Sequence, residues 1–345
     1  MFYLKYRPHT IAEIDNVKAR ETIARFLNSN SLPHAFLFIG QKGTGKTSTA
    51  RILAKSINCE KTRYFNKKFT NIEPCNQCPN CKSIDNDSSP DVVEMDAASN
   101  RGIDEIKNLI QNTAFTPMHS HFRVFIIDEA HQITHDGFNV LLKTLEEPPT
   151  SVVFILATTN PEKVPPTILS RCVPVNFGLA SSVDIKNMLE RIIKSEKLSV
   201  SSEVLDLISS HSDNSFRDAA KLLQELISQN KLDLEKAQDY IGIRGNNILL
   251  TLLDSKTIED SLRWVQEFTK SGGNIKSLIS DLLSQLHKLL MIKNKILDEK
   301  TKITLSQQQI LRLMKLFNEA YSNLLATPNE SIPLEIAIME YYNVK

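Results

Sequence analysis

The chain has 345 residues, 41% of them hydrophobic and 23% charged, and its 41 Lys and Arg nearly balance 40 Asp and Glu for a net charge of +1. That length suits two or three domains. The balance excludes a chain-wide polyanion binder, leaving nucleic-acid contacts to a local patch or to partner chains, and no run of about 18 apolar residues is present to span a membrane. The opening MFYLKYRPHT lacks the apolar stretch of a secretory leader. A cytoplasmic setting is therefore expected, in which thiols stay reduced and clustered cysteines bind metal more often than they pair.

AFLFI (35–39) reads as a buried strand, short, apolar and bounded by turn residues. GQKGTGKT (40–47) follows it and opens the helical TSTARILAKSI. A glycine-rich loop between strand and helix is the setting of a phosphate-binding loop. Gly43 and Gly45 let the backbone turn its N–H groups toward phosphate oxygens, with Gly40, Thr44 and Ser48 as further binding residues of the loop. The helix N-terminus adds a favourable dipole. Lys46 reaches the β/γ-phosphates of ATP, and the Thr47 hydroxyl suits Mg²⁺.

Cys59 lies just past that helix, and PCNQCPNC (74–81) places Cys75, Cys78 and Cys81 two residues apart. Four thiolates suit a closed, tetrahedral, structural Zn²⁺ site. The insert around 58–86 is polar, with too few apolar residues to fold by burial, and a metal can fold it instead. An iron–sulfur cluster and four unengaged thiols are the alternatives.

DVVEM (91–95) and the amphipathic GIDEIKNLIQNTA continue the alternation, with Asn100 and Arg101 before that helix as candidate DNA contacts. RVFIIDEAH (123–131) is a strand ending in two carboxylates. Asp128 can hold Mg²⁺ and Glu129 can orient or deprotonate an attacking water. The letters DEAH also raise a helicase, which would need a second strand–helix lobe, so His131 reads as local packing. FNVLLKTLEE is helical. VVFIL (152–156) leads to Thr158, Thr159 and Asn160, where a polar side chain can sense a γ-phosphate. Arg171 lies twelve residues beyond Thr159. It suits a role on a neighbour's ATP, and a surface ion pair explains it as well. Cys172 reads as buried.

VPVNF (173–177) is the last strand pattern, and alternation of this kind implies a parallel sheet with helices on both faces. Residues 179–242 hold four amphipathic helical patterns. Arg217 falls in the first turn of one of them, where a cation opposes the helix dipole unless an anion is near. Either ATP or the adjacent Asp218 could supply it. Residues 243–345 are helical, and Leu278, Leu282, Leu286, Leu289 and Leu290 form a wide apolar stripe. That stripe reads mainly as internal core.

These motifs, in this order, resemble the gamma/tau subunits of bacterial DNA polymerase III, the ATPase motors of sliding-clamp loaders. The likeness is close over about 3–240 and rests beyond that on helical pattern. It implies an α/β P-loop AAA+ domain with a parallel sheet and a zinc-binding insert (1–178, insert 58–86), an all-α lid (179–242) and an all-α collar for oligomerisation (243–345). Thr159 would be the first sensor, Arg217 the second and Arg171 a finger on the adjacent subunit's ATP. Tyr6, Arg7 and Pro8 match the family's start near the nucleotide base. Asn16 and Val17 stand where the family usually carries Gly-Gln. Implied partners are delta- and delta-prime-type subunits, further copies of this chain, the sliding clamp and primer–template DNA. The length matches the short motor form, without a polymerase-tethering extension. A non-hydrolysing assembly subunit and another AAA+ DNA motor, such as a helicase loader or branch-migration motor, are the alternatives.

Overall fold

Each apolar run forms a strand: β1 (Ala35–Gly40), β2 (Val92–Asp96), β3 (Arg123–Asp128), β4 (Val152–Thr158) and β5 (Val173–Gly178). The computed structural model describes residues 1–29, 31–100, 102–241, 244–255, 257–270, 273–296, 303–324, 327 and 329–343. All five strands pair in parallel, in the order β2-β3-β4-β1-β5. Parallel neighbours need crossovers, and here these are helical. They include α3 (Lys46–Asn58), α5 (Ile103–Thr113) and α6 (His135–Glu146), while α2 (Val17–Asn28) precedes β1.

Side-chain alternation along each strand divides the sheet between two cores. Phe36, Phe38, Val124, Ile126, Val153 and Ile155 pack with Ile23 and Leu27 of α2 and Leu53 and Ile57 of α3. Their neighbours Leu37, Phe125, Ile127, Phe154 and Leu156 pack with Ile106 of α5 and Phe138 and Leu141 of α6. β4, second to none in burial, has all seven residues inaccessible, as a central parallel strand should.

Shorter helices complete this part: α1 (Phe2–Lys5), α4 (Pro79–Asp85) and α7 (Pro166–Leu169). After β5 come α8 (Ser182–Glu196), α9 (Ser202–Ser210) and α10 (Phe216–Ser228). Each of these three is capped by a serine hydroxyl that accepts a first-turn N–H: Ser181, Ser201 and Ser215.

The chain divides into two compact units, Met1–Gln229 and Asn230–Lys345. The segment expected as a lid, 179–242, thus gives α8, α9 and α10 to the first unit. α11 (Leu234–Ile241) lies in the second with α12 (Arg244–Ser255), α13 (Ile258–Lys270), α14 (Ile275–Lys293), α15 (Gln307–Asn323) and α16 (Ser331–Tyr342). In this unit Leu278, Leu282, Leu286 and Leu289 of α14 are buried among Leu313 and Phe317 of α15 and Leu334 and Ile338 of α16, with Leu290 partly buried beside them. Ile332, Ile336 and Met339 of α16 are exposed at helical spacing. Among the described residues no helix is long and apolar enough to cross a membrane.

Asn16 shows how the departure from Gly-Gln is accommodated. Its Oδ1 accepts from Ala19 N at 3.0 Å, capping α2, and its Nδ2 donates to Phe177 O of β5 at 2.8 Å. One buried amide starts a helix and ties it to the sheet. Asn16→Ala should lower stability by roughly 1–3 kcal/mol, read as a lower urea midpoint. An unchanged midpoint would mean that α2 is held without this cap.

Candidate functional site

The C-terminal ends of the strands open on a cavity of about 560 Å³. The loop after β1 forms its floor. Gly43 and Gly45 have φ of +81° and +96°, the left-handed region that glycine enters at least cost. Their requirements differ. A Cβ at Gly45 would meet nothing within 4 Å, so only the backbone demands glycine there. A Cβ at Gly43 would lie 2.0 Å from the Ser215 hydroxyl, the cap of α10. Phe216 N also donates to Gly43 O at 3.1 Å, so the loop and α10 touch directly. Thr44 is buried, its hydroxyl donating to Gln41 O at 2.8 Å.

Lys46 is 6% exposed. Its ammonium donates to Gly40 O and Gln41 O at 2.7 and 2.9 Å. Burial lowers its pKa, while Asp128 and Glu129 oppose the shift. A buried cation resting on carbonyls is poised to meet an anion at the loop. The Thr47 hydroxyl donates to Asp128 Oδ2 at 2.6 Å, and Asp128 Oδ1 accepts from Glu129 N at 2.9 Å. Thr47 and Asp128 thus present adjacent oxygens, a donor set that fits a hard divalent cation.

Glu129 has φ of +48°. For a residue with a Cβ this conformation is strained, and such strain concentrates at functional sites. Thr159 Oγ1 donates to Glu129 Oε2 at 3.3 Å, and His131 Nδ1 lies 3.5 Å from the same oxygen. His131 Nδ1 also lies 3.1 Å from Thr158 Oγ1. The histidine therefore packs between the strand ends of β3 and β4 and touches the glutamate.

Tyr6, Arg7 and Pro8 line the cavity, as do Asn16, Lys42, Ser48, Asp96 and Arg217. Arg7 Nε donates to Ser48 Oγ at 2.8 Å, and Tyr6 OH donates to Glu196 of α8 at 2.5 Å. Met188, Ile192 and Phe216 from α8 and α10 supply an apolar side. Among the described residues Arg217 has no hydrogen-bond or ion-pair partner, and Asp218 meets Lys221 instead at 3.5 Å. Asp15, also in the lining, is held by Arg191 Nη2 of α8 at 2.8 and 3.0 Å. Sequence reasoning missed Asp15, Arg191 and the apolar side, because they belong to no local motif and meet only in the fold.

Gly40, Thr159 and Arg171 are absent from the cavity lining. Arg171 follows α7, pairs with Glu146 at the end of α6, and donates to Thr167 O at 2.8 Å. Cys172 is buried, and burial pushes its thiol up to about 12. Asn100 folds its amide onto Asp96 O at 3.2 Å; Arg101 lies outside the described residues.

Cys59, at the C-terminus of α3, meets Cys75, Cys78 and Cys81 with all four sulfurs within 4.8 Å of one another, and none is in a disulfide. Tetrahedral zinc with bonds of about 2.3 Å separates its sulfurs by roughly 3.8 Å. Backbone N–H groups point at the sulfurs: Cys75 N to Cys59 Sγ at 3.3 Å, Cys78 N to Cys75 Sγ at 3.3 Å and Cys81 N to Cys78 Sγ at 3.5 Å. These donors favour thiolates and orient them. The contact between Cys81 and Cys59 draws the Cys59 thiol down toward a thiolate and pushes Cys81 up, because the proton between them stays on Cys81. The set fits a thiophilic metal.

A parallel β2-β3-β4-β1-β5 sheet, a phosphate loop after β1, an acidic pair ending β3 and a helical lid touching that loop define the AAA+ class of P-loop proteins. A solved Thermotoga maritima RuvB mutant shares the fold, with TM-score 0.50 and 14% identity over 72% of this chain and 80% of that one. A family model described as DNA polymerase III, delta subunit matches residues 16–180. DNA polymerase III subunit gamma of Buchnera aphidicola is 34% identical over 84% of this chain and 80% of its own length. Subunit tau of Bacillus subtilis is 34% identical over 98% of this chain, which spans 62% of that relative. The chain belongs to the gamma/tau family of DNA polymerase III subunits.

Burial pushes the Asp15 carboxyl from 3.8 up to about 6, against the pull of Arg191. The folded state therefore holds the proton more tightly than the unfolded state. The stability Asp15 contributes is full below its unfolded value and is lost as pH rises through about 6. Denaturant melts from pH 4 to 7 should show Asp15→Asn gaining on wild type by about 2 kcal/mol. A constant gap would place Asp15 in a wetter setting.

Proposed function

We propose that this chain is an ATPase motor subunit of a DNA polymerase III clamp loader. On this reading, ATP binding and hydrolysis place a sliding clamp on primed DNA. The observation that carries it is the 2.6 Å contact between Thr47 and Asp128, which joins the phosphate loop to the acidic strand end in a member of the gamma/tau family. Lys46 binds the β/γ-phosphates in exchange for its two carbonyl partners. Thr47 and Asp128 hold Mg²⁺, which when bound neutralises phosphate charge. Glu129, held by Thr159 and His131, takes the proton of the attacking water at its carboxylate. Arg217, with no partner among the described residues, meets the phosphates from the lid side. Tyr6, Arg7 and Pro8 contact the base side.

Arg171 lies outside its own chain's cavity, which supports a role on a neighbour's ATP. Its tie to Glu146 would exchange for phosphate when subunits close. The exposed stripe Ile332, Ile336 and Met339 supports assigning 243–345 as a collar, where it would cover apolar surface between subunits. Delta-type subunits, further copies of this chain, the clamp and sequence-independent primer–template contacts complete the proposed assembly. In the Cys59, Cys75, Cys78 and Cys81 cluster the proposed metal is Zn²⁺ with a structural role, since four protein thiolates leave no open position.

The test is ATP hydrolysis with clamp, primed DNA and the other loader subunits present. Lys46→Ala and Arg171→Ala chains should each be nearly inactive alone and regain activity when mixed, because each supplies what the other lacks. Glu129→Gln should bind ATP while losing about 10²–10⁴ in rate. Mixed chains that co-purify yet stay inactive would overturn the finger assignment. Absence of DNA-stimulated turnover in wild type would favour an assembly subunit that uses nucleotide only for shape. Metal analysis should find one zinc per chain, and Cys78→Ser should abolish it. Iron with visible absorbance would reassign the cluster.

A further inference from the structure

The segment between residues 8 and 14 runs away from the nucleotide cavity and back. Tyr6, Arg7 and Pro8 line the cavity before it, and Ile14, Asp15 and Asn16 line it afterwards. At the turn, the thiol-bearing insert grips the backbone. Ile11 N and Ala12 N donate to the two Glu73 carboxylate oxygens at 2.7 and 3.0 Å. His9 Nδ1 lies 3.5 Å from Asp85 Oδ1. Glu73 leads into Cys75, and Asp85 ends α4, the helix capped by Cys78.

The insert also holds the other half of the site. Lys55 of α3 is 1% exposed. Its ammonium donates to Asp85 Oδ1 and to Asn76 Oδ1, each at 2.8 Å. Asn76 sits between Cys75 and Cys78, and α3 is the helix that opens on Lys46. One small element thus touches both the helix behind the phosphate loop and the segment bearing the opposite wall. The only buried cluster of its own is the thiols Cys59, Cys78 and Cys81, with Cys75 packed against them, among the described residues. Ile72 beside Glu73 is partly buried against the sheet's core and Ile84 beside Asp85 is 3% exposed, so each carboxylate has one apolar anchor, and a metal would add the folding energy that ties the two ends of the insert together.

A plainer account is that Ile11 and Ile14, each 2% exposed, anchor the segment to the core whatever the insert does. Two apolar anchors fix depth. They do not fix the orientation of the turn, which a carboxylate accepting two adjacent N–H groups does.

We propose that the Cys59, Cys75, Cys78 and Cys81 knuckle is a positioning element of the nucleotide pocket: its metal fixes Glu73 and Asp85, these fix the 9–12 segment, and metal occupancy thereby raises adenine-nucleotide affinity. The inference rests on the nucleotide and metal readings above. Reciprocity then requires nucleotide to tighten metal binding by the same factor.

Calorimetric titration of the full chain, wild type and Glu73→Ala, with Mg-ATP and with inorganic tripolyphosphate tests it. Metal content and thermal melting are measured on each sample. Glu73→Ala should keep its metal, bind ATP about tenfold more weakly (about 1.4 kcal/mol) and bind tripolyphosphate within about threefold of wild type. Wild type stripped by a chelator should show the same selective loss, reversed by Zn²⁺. Metal-loaded Glu73→Ala that binds ATP like wild type overturns the proposal. So does an equal loss of both ligands, which marks general loosening. Wild type that binds neither ligand refutes the nucleotide reading itself, and wild type that binds ATP without holding metal refutes the metal reading.

Discussion

Parallel strand pairing is the constraint from which the site follows. Because all five strands run the same way, their C-terminal ends share one edge, and Gly40, Asp96, Asp128, Thr158 and Gly178 lie along it. The order of strands then decides which chemistries meet. β1 stands next to β4, and β4 next to β3. The phosphate loop therefore faces the acidic pair across the strand that carries Thr158 and leads to Thr159. A crevice at such a reversal of strand order is where open α/β sheets take ligands. The 2.6 Å contact between Thr47 and Asp128 is the local expression of that order.

The cavity holds buried or half-buried charges that folding alone leaves poorly served. Lys46 rests on carbonyls with its pKa lowered by burial, Glu129 carries a strained backbone, and Asp15 is pushed up despite Arg191. Each arrangement costs stability in the empty protein. In the proposed function, a polyanion with its divalent cation would relieve the first and engage the second. The lid shares in this, since Ser215 and Phe216 touch Gly43 and Arg217 lines the cavity with no partner among the described residues. A change at the phosphate loop therefore reaches α10 through direct contact.

Much of this was legible in the sequence, for identifiable reasons. The strands were readable because they are buried on both faces and so continuously apolar, as VVFIL is. The phosphate loop and the acidic pair are contiguous motifs with short-range geometry. The cysteine set was readable because metal ligation needs few residues at fixed spacing. The Asp15–Arg191 tie joins positions far apart in sequence, and nothing local marks either residue. Glu73 and Lys55 look like ordinary surface charges until the fold brings one to a backbone turn and buries the other. The helical half carried the weakest signal. Its amphipathic patterns fix which faces turn inward, as for Leu282 and Leu286, and leave open where one compact unit ends.

Arg171 stands outside its own chain's cavity, as the proposed role on a neighbour requires. An arginine used on the chain's own nucleotide would have to enter the cavity and would compete for space with Lys46 and Arg217. Instead it is held at the surface by Glu146 and by the carbonyl of Thr167. A surface ion pair of this kind contributes little to stability, on the order of 0–1 kcal/mol. It therefore exchanges at low cost for a more highly charged partner. Planar, permanently charged guanidinium suits that exchange. If Arg171 acts on a neighbour's nucleotide as proposed, hydrolysis would depend on that neighbour being docked, and assembly itself would be the switch.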